Sequence, residues 1–131
     1  MKYSKATDYA LHAVELMMES DDDGNIGLQE LATKLEVSPT YLSKVLTMLV
    51  KGGLLNSTKG AHGGYRFTKK KEDISFLDVI RAVEGENSLY SPAVACRENC
   101  RIRQTMYEAE TLMLDYLEEQ KVIDVVSGGT R

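Results

Sequence analysis

The chain has 131 residues, 43% of them apolar and 27% charged, with a formal net charge of −4 and two cysteines. That length suits one domain, or one domain with a dimerising appendage, and the composition is ordinary for a globular protein. No apolar run approaches the ~20 residues that span a bilayer, the opening Met1–Asp8 lacks the core of a signal peptide, and no nucleophile–base pair, phosphate loop or metal-hydrolase spacing points to an enzyme.

The spacing predicts a first helix over Lys5–Glu19. Ala6, Ala10, Ala13, Val14 and Met17 recur on one face, while Asp8, His12, Glu15 and Glu19 share the other. Asp21–Asn25 reads as a turn, and a second helix follows over Gly27–Leu35 with Leu28, Leu31, Ala32 and Leu35 inward. Ser38 is placed to cap a third helix, and Pro39 suits its first position. That helix, Pro39–Lys51, carries an apolar stripe at Leu42, Val45, Leu46, Leu49 and Val50, and Gly52-Gly53 ends it. Leu54–Thr58 and Tyr65–Thr68 are short strand candidates around a glycine-rich connection, which is a hairpin signal.

A fourth helix, Phe76–Glu84, starts with a capping box of Ser75 and Asp78 and stops at Gly85. Residues 85 to about 98 show no periodicity, as in functional or mobile connections. The last long helix covers about Cys100–Gln120. Ile102, Met106, Ala109, Met113 and Tyr116 alternate spacings of four and three, the seam of two helices side by side, and Leu112, Leu114 and Leu117 widen it. So much apolar surface predicts a second subunit. The tail from Ser127 is expected to be loose.

The fold class expected is therefore mainly α with a small β-hairpin wing: a winged helix-turn-helix over 1–85, a sensor loop over 86–99, and a dimerisation helix and tail over 100–131. Between Ser38 and Lys71 the chain holds Lys44, Lys51, Lys59, Arg66, Lys69, Lys70 and Lys71 and no acidic residue, a charge of +7 against −11 for the remainder. A segregation of this kind is the footprint of phosphate contact. The major groove admits a helix whose outer residues are short and polar or cationic, which Thr40, Ser43, Lys44 and Thr47 are, with Ser38 and Tyr41 at the margin. Glycines let the wing approach a duplex closely, with Lys59, His62 and Arg66 as donors and Lys69–Lys71 flanking.

Met1–Leu11, Leu31-Ala32, Ser38–Leu42, Lys59–Tyr65, Asp78–Gly85 and Cys100–Arg103 together resemble the Rrf2 family of bacterial winged helix-turn-helix regulators. The resemblance implies a cytoplasmic homodimer, joined by the last long helix, that reads a near-palindromic operator in double-stranded DNA, usually as a repressor. Many members carry an iron–sulfur cluster or reactive thiols in the loop before that helix. This chain departs from the three-cysteine pattern of the cluster-binding members: Cys96 and Cys100 remain, and Arg103 stands where some members have a histidine. The family precedent implies a [2Fe-2S] cluster held by Cys96 and Cys100 with Asp8 and His12 of the partner subunit, since mixed Cys/His ligation suits two-iron centres. Two other fates stay open. Arg97, Arg101, Arg103 and a nearby helix start favour thiolate and hence a thiol switch, or the cysteines are inert.

Overall fold

The structure, a computed structural model, describes residues 2–20, 26–60, 63–95 and 100–127. Six α-helices are described: α1 (Lys5–Glu19), α2 (Leu28–Leu35), α3 (Pro39–Lys51), α4 (Phe76–Glu84), α5 (Arg101–Glu119) and α6 (Val122–Ser127). One antiparallel hairpin, β1 (Leu55–Thr58) with β2 (Gly64–Phe67), separates α3 from α4. Ile26, just before α2, exchanges both backbone bonds with Tyr65 and so widens the hairpin by one residue.

Local chemistry explains most boundaries. The Ser38 hydroxyl accepts from the Tyr41 N–H at 3.2 Å, so α3 begins on a side-chain cap worth about 1 kcal/mol. Ser75 and Asp78 form both arms of the capping box at 3.0 Å. The α2–α3 turn is made by Glu36 in the left-handed region, its N–H closing on Thr33. After α3 the left-handed residue is Gly53, at φ +84, whereas Gly52 remains right-handed. Gly52 is needed for space: a Cβ there would lie 2.6 Å from Ala82 Cβ on α4.

The core gathers Ala10, Val14 and Met17 of α1, Leu31 of α2, and Leu42, Val45, Leu46 and Leu49 of α3, with Leu55 and Ile74 beneath the hairpin. Thr7 and Met18 are buried as well, beyond the predicted face of α1.

Two features depart from expectation. Residues 122–127 form α6, which packs against α1; Val122 is 2% exposed in the core and its N–H bonds to the Ile74 carbonyl. The predicted seam of α5 also splits. Met113 turns inward, half-buried and accepting from the Tyr3 hydroxyl, because α5 lies along α4 with Leu114 and Leu117 on the same side. Ile102 (70% exposed), Met106, Ala109, Leu112 (72%) and Tyr116 (62%) remain as the outward stripe. The predicted turn at 21–25 and the tail beyond Ser127 lie outside the described residues.

Candidate nucleic-acid interface

The helix-turn-helix is α2, the Glu36–Ser38 turn and α3. Burial of Leu42, Val45, Leu46 and Leu49 fixes the rotation of α3, which leaves Thr40, Lys44 and Thr47 exposed and Ser43 half-buried. Tyr41 is half-buried too, its ring edge-on to Tyr9 of α1 with centroids 5.4 Å apart. Tyr41 thus ties the start of α3 to the first helix. The hydroxyls of Ser38 and Thr47 already have partners within α3: Ser38 caps it, and Thr47 Oγ1 donates to the Ser43 carbonyl at 2.8 Å. Lys44 has no partner among the described residues.

The hairpin follows α3 directly, with the Leu54 N–H on the Leu49 carbonyl. Its register pairs Asn56 with Arg66 and Thr58 with Gly64. Lys59 is exposed at the start of the connection and Arg66 is exposed on β2; His62 lies outside the described residues. Gly63 closes the connection through its N–H to the Gly60 carbonyl, and any Cβ there would strike the Thr58 carbonyl.

The three-lysine run is not uniform. Lys69 bridges Asp78 at 3.0 Å, so the first of the three is drawn to the domain rather than offered outward. Partial burial pushes the Asp78 carboxyl up, but the Ser75 N–H and the Lys69 ammonium outweigh it and hold it below the usual carboxylate range. Lys70 is exposed and Lys71 half-buried. With Arg66 they line a cleft of about 520 Å³ at the base of the wing.

The described cluster ligands drawn from the resemblance lie on α1 and at the start of α5. Asp8 and His12 do share one face of α1, but they face each other, Asp8 Oδ1 3.3 Å from His12 Nε2, with Glu15 at 3.7 Å from the other nitrogen. Cys100 is the N-cap of α5 and is disulfide-bonded; Cys96, the other cysteine of the sequence, lies outside the described residues. A sulfur in a disulfide offers no thiolate to iron. Among the described residues no group of three or more His, Cys, Asp or Glu side chains is arranged to hold a metal ion. The ligand set that the resemblance implies combines Cys96, outside the described residues, with Asp8 and His12 of a partner subunit.

Two interactions that carry the site into the rest of the molecule escape sequence reading. Glu84, at the end of α4, accepts from Ser4 N–H (2.8 Å), Ser4 Oγ (3.0 Å) and Thr7 Oγ1 (2.5 Å), and so caps α1 from a distance. Glu110 of α5 accepts from Ser88 Oγ and the Leu89 N–H, each at 2.7 Å, while Tyr90 stacks edge-on with Tyr107 at 5.6 Å. The loop after α4 is thereby latched to the long helix. Both carboxyls sit below the usual glutamate range, Glu84 chiefly through the Thr7 hydroxyl and Glu110 chiefly through that of Ser88.

The Rrf2 family profile, described as "Iron-dependent Transcriptional regulator", matches residues 3–128. The chain belongs to the Rrf2 family. It is 29% identical to the HTH-type transcriptional regulator NsrR of Halalkalibacterium halodurans, over 97% of this chain and 91% of that one. A second relative, YffB of Lactococcus lactis, is named only as a candidate HTH-type regulator; it is 36% identical over 69% of this chain and 58% of its own length. The solved structure of CymR, the global cysteine regulator of B. subtilis, superposes with a TM-score of 0.83 at 25% identity, covering 99% of each chain. That of T. potens IscR superposes at 0.76 with 23% identity, over 99% of this chain and 89% of that one, a likeness of fold. This Rrf2 protein is thus a transcription regulator with a winged-helix fold, not an enzyme. Among the described residues no helix is long and apolar enough to cross a membrane.

Proposed function

We propose that this Rrf2 protein binds double-stranded DNA as a homodimer, with α3 in the major groove, the wing beside it and repression as the expected sign. The observation that carries this is the acid-free stretch from Ser38 to Lys71, whose Lys44 and Lys59 are exposed and without partners among the described residues. Ser38, Thr40, Tyr41, Ser43 and Thr47 frame the α3 contact, and His62 and Arg66 belong to the wing. The outward stripe of α5, from Ile102 to Tyr116, supports pairing with the same helix of a second copy. Two-fold pairing would set two α3 helices against a near-palindromic operator.

The test is fluorescence anisotropy on duplexes selected from a random pool, titrated across salt. Affinity falls as salt rises, because phosphates release counterions on binding. Lys44→Ala and Lys59→Ala should each lower the log–log salt slope by about 2, one phosphate contact being lost in each subunit. Wild-type slopes in both variants would refute the assignment. Titrations that stay flat would point to an acidic protein partner instead.

For sensing, the disulfide at Cys100 favours a thiol switch. A two-electron oxidant of the peroxide class would take two electrons and two protons from Cys96 and Cys100 and leave a disulfide, and Arg101 and Arg103 beside the N-cap favour the thiolate that starts the reaction. The competing reading, a [2Fe-2S] cluster held by Cys96, Cys100, Asp8 and His12, draws its support from the iron-dependent description of the family. Iron and sulfide analysis of anaerobically purified protein decides between them: stoichiometric iron selects the cluster, and iron-free protein whose two thiols are lost to a disulfide on peroxide treatment, with a change in duplex affinity, selects the switch.

A further inference from the structure

Helix α4 has two apolar faces. Val79 belongs to the main core, whereas Leu77 (2% exposed) and Ile80 (8%) are buried outside it, on the side where α5 packs. Between that second face, α5 and the latched loop lies a cavity of about 470 Å³, within the range of small-molecule sites. Leu77, Ile80, Met113, Leu114 and Leu117 form its apolar floor.

Its mouth carries three carboxylates, Glu84, Glu86 and Glu110, against two cations, Lys2 and Arg81. Net charge alone therefore does not select an anion; hydrogen-bonding capacity does. Glu84 Oε2 already accepts from Ser4 and Thr7, and both oxygens of Glu110 are taken by Ser88 and Leu89. Lys2 is open and Arg81 is held only by a loose ion pair to Glu86. Lys2 has no partner among the described residues, and Arg81 Nε lies 3.9 Å from a largely exposed Glu86, too far for a hydrogen bond. A planar carboxylate matches the guanidinium fork and would displace Glu86.

We propose that this cavity binds a small apolar carboxylate, its chain on Leu77, Ile80, Leu114 and Leu117 and its head on Arg81 and Lys2. The occupant would bear on the packing of α5 against α4, the joint between the winged domain and the long helix.

Isothermal titration of the full chain with octanoate, octylamine and octan-1-ol tests the site whether or not the protein binds DNA. Octanoate should bind with a dissociation constant on the order of 100 µM, reasonable for about ten heavy atoms. Arg81→Gln, at an exposed position, should weaken binding about tenfold, and Leu114→Trp should abolish it by filling the floor. Where Leu114→Trp disturbs the circular dichroism spectrum, Arg81→Gln carries the test. The proposal is overturned by the absence of saturable heat from octanoate, by equal binding of octylamine or octan-1-ol, or by unchanged affinity in Arg81→Gln.

Discussion

Glu84→Ala removes one carboxylate from the end of α4 and should loosen a helix some eighty residues earlier in the chain. Three donors lose their acceptor: the Ser4 N–H, the Ser4 hydroxyl and the Thr7 hydroxyl. Ser4 is exposed and its groups rehydrate, so their contribution is small. Thr7 is 2% exposed, and its hydroxyl keeps only the option of turning back to a carbonyl of its own helix. Because the carboxylate itself faces solvent, screening trims the gain of a charged acceptor, and a net loss of about 1–2 kcal/mol is expected. In urea, at fixed protein concentration, that corresponds to a midpoint lowered by roughly 0.5–1 M. Glu84→Gln keeps an acceptor oxygen and should lose about half as much. The pH dependence is a second handle. The Thr7 hydroxyl, then Ser4, holds the folded-state carboxyl below its unfolded value. The contribution is therefore complete above the ordinary glutamate range and is lost as pH falls through the lower folded value. The gap between wild type and Glu84→Gln should be constant near neutrality and close below about pH 4. A Glu84→Ala protein as stable as wild type at neutral pH, or a gap indifferent to acid, would refute the distant cap.

Three further outcomes are expected. Leu112→Asp, on the outward stripe of α5, should dissociate the proposed dimer in sedimentation velocity and cost most of the duplex affinity, with helix content unchanged. Gly52→Ala should force α3 away from Ala82 at a cost of about 1–3 kcal/mol, seen in calorimetry as a melting point lower by roughly 5–10 °C. Cys100→Ser should erase any difference in duplex affinity between reduced and peroxide-treated protein, whereas a thiol without a sensing role would leave that difference intact.

Much of this fold is written locally. The bounds of α1 follow from periodicity and those of α3 and α4 from periodicity plus a cap or stop within four residues, and Ser38, Ser75 and Asp78 do in the structure what their spacing implies. The first strand starts one residue later than expected and the second shifts back by one, because hairpin ends depend on pairing across the ladder, including the Ile26–Tyr65 bridge, rather than on composition. What sequence reading misses is long-range. Glu84 capping α1, Glu110 holding Ser88, and Lys69 drawn to Asp78 all join residues whose types are unremarkable and whose meeting depends on the finished packing. The outward stripe of α5 was legible as a seam, but Met113 lies at a spacing that serves either side of a helix, and contact with α4 decides which. For α6, six residues are too few for periodicity to speak.

The docking of α6 has a consequence for how the molecule is made. Helical folds usually close through neighbours in sequence, and fast folding goes with that economy. Here Val122 must reach back to Ile74 and to α1 before the interior is sealed. While the nascent chain is short of that residue, the hydrophobic floor beneath α1 stays open to water and to chaperones.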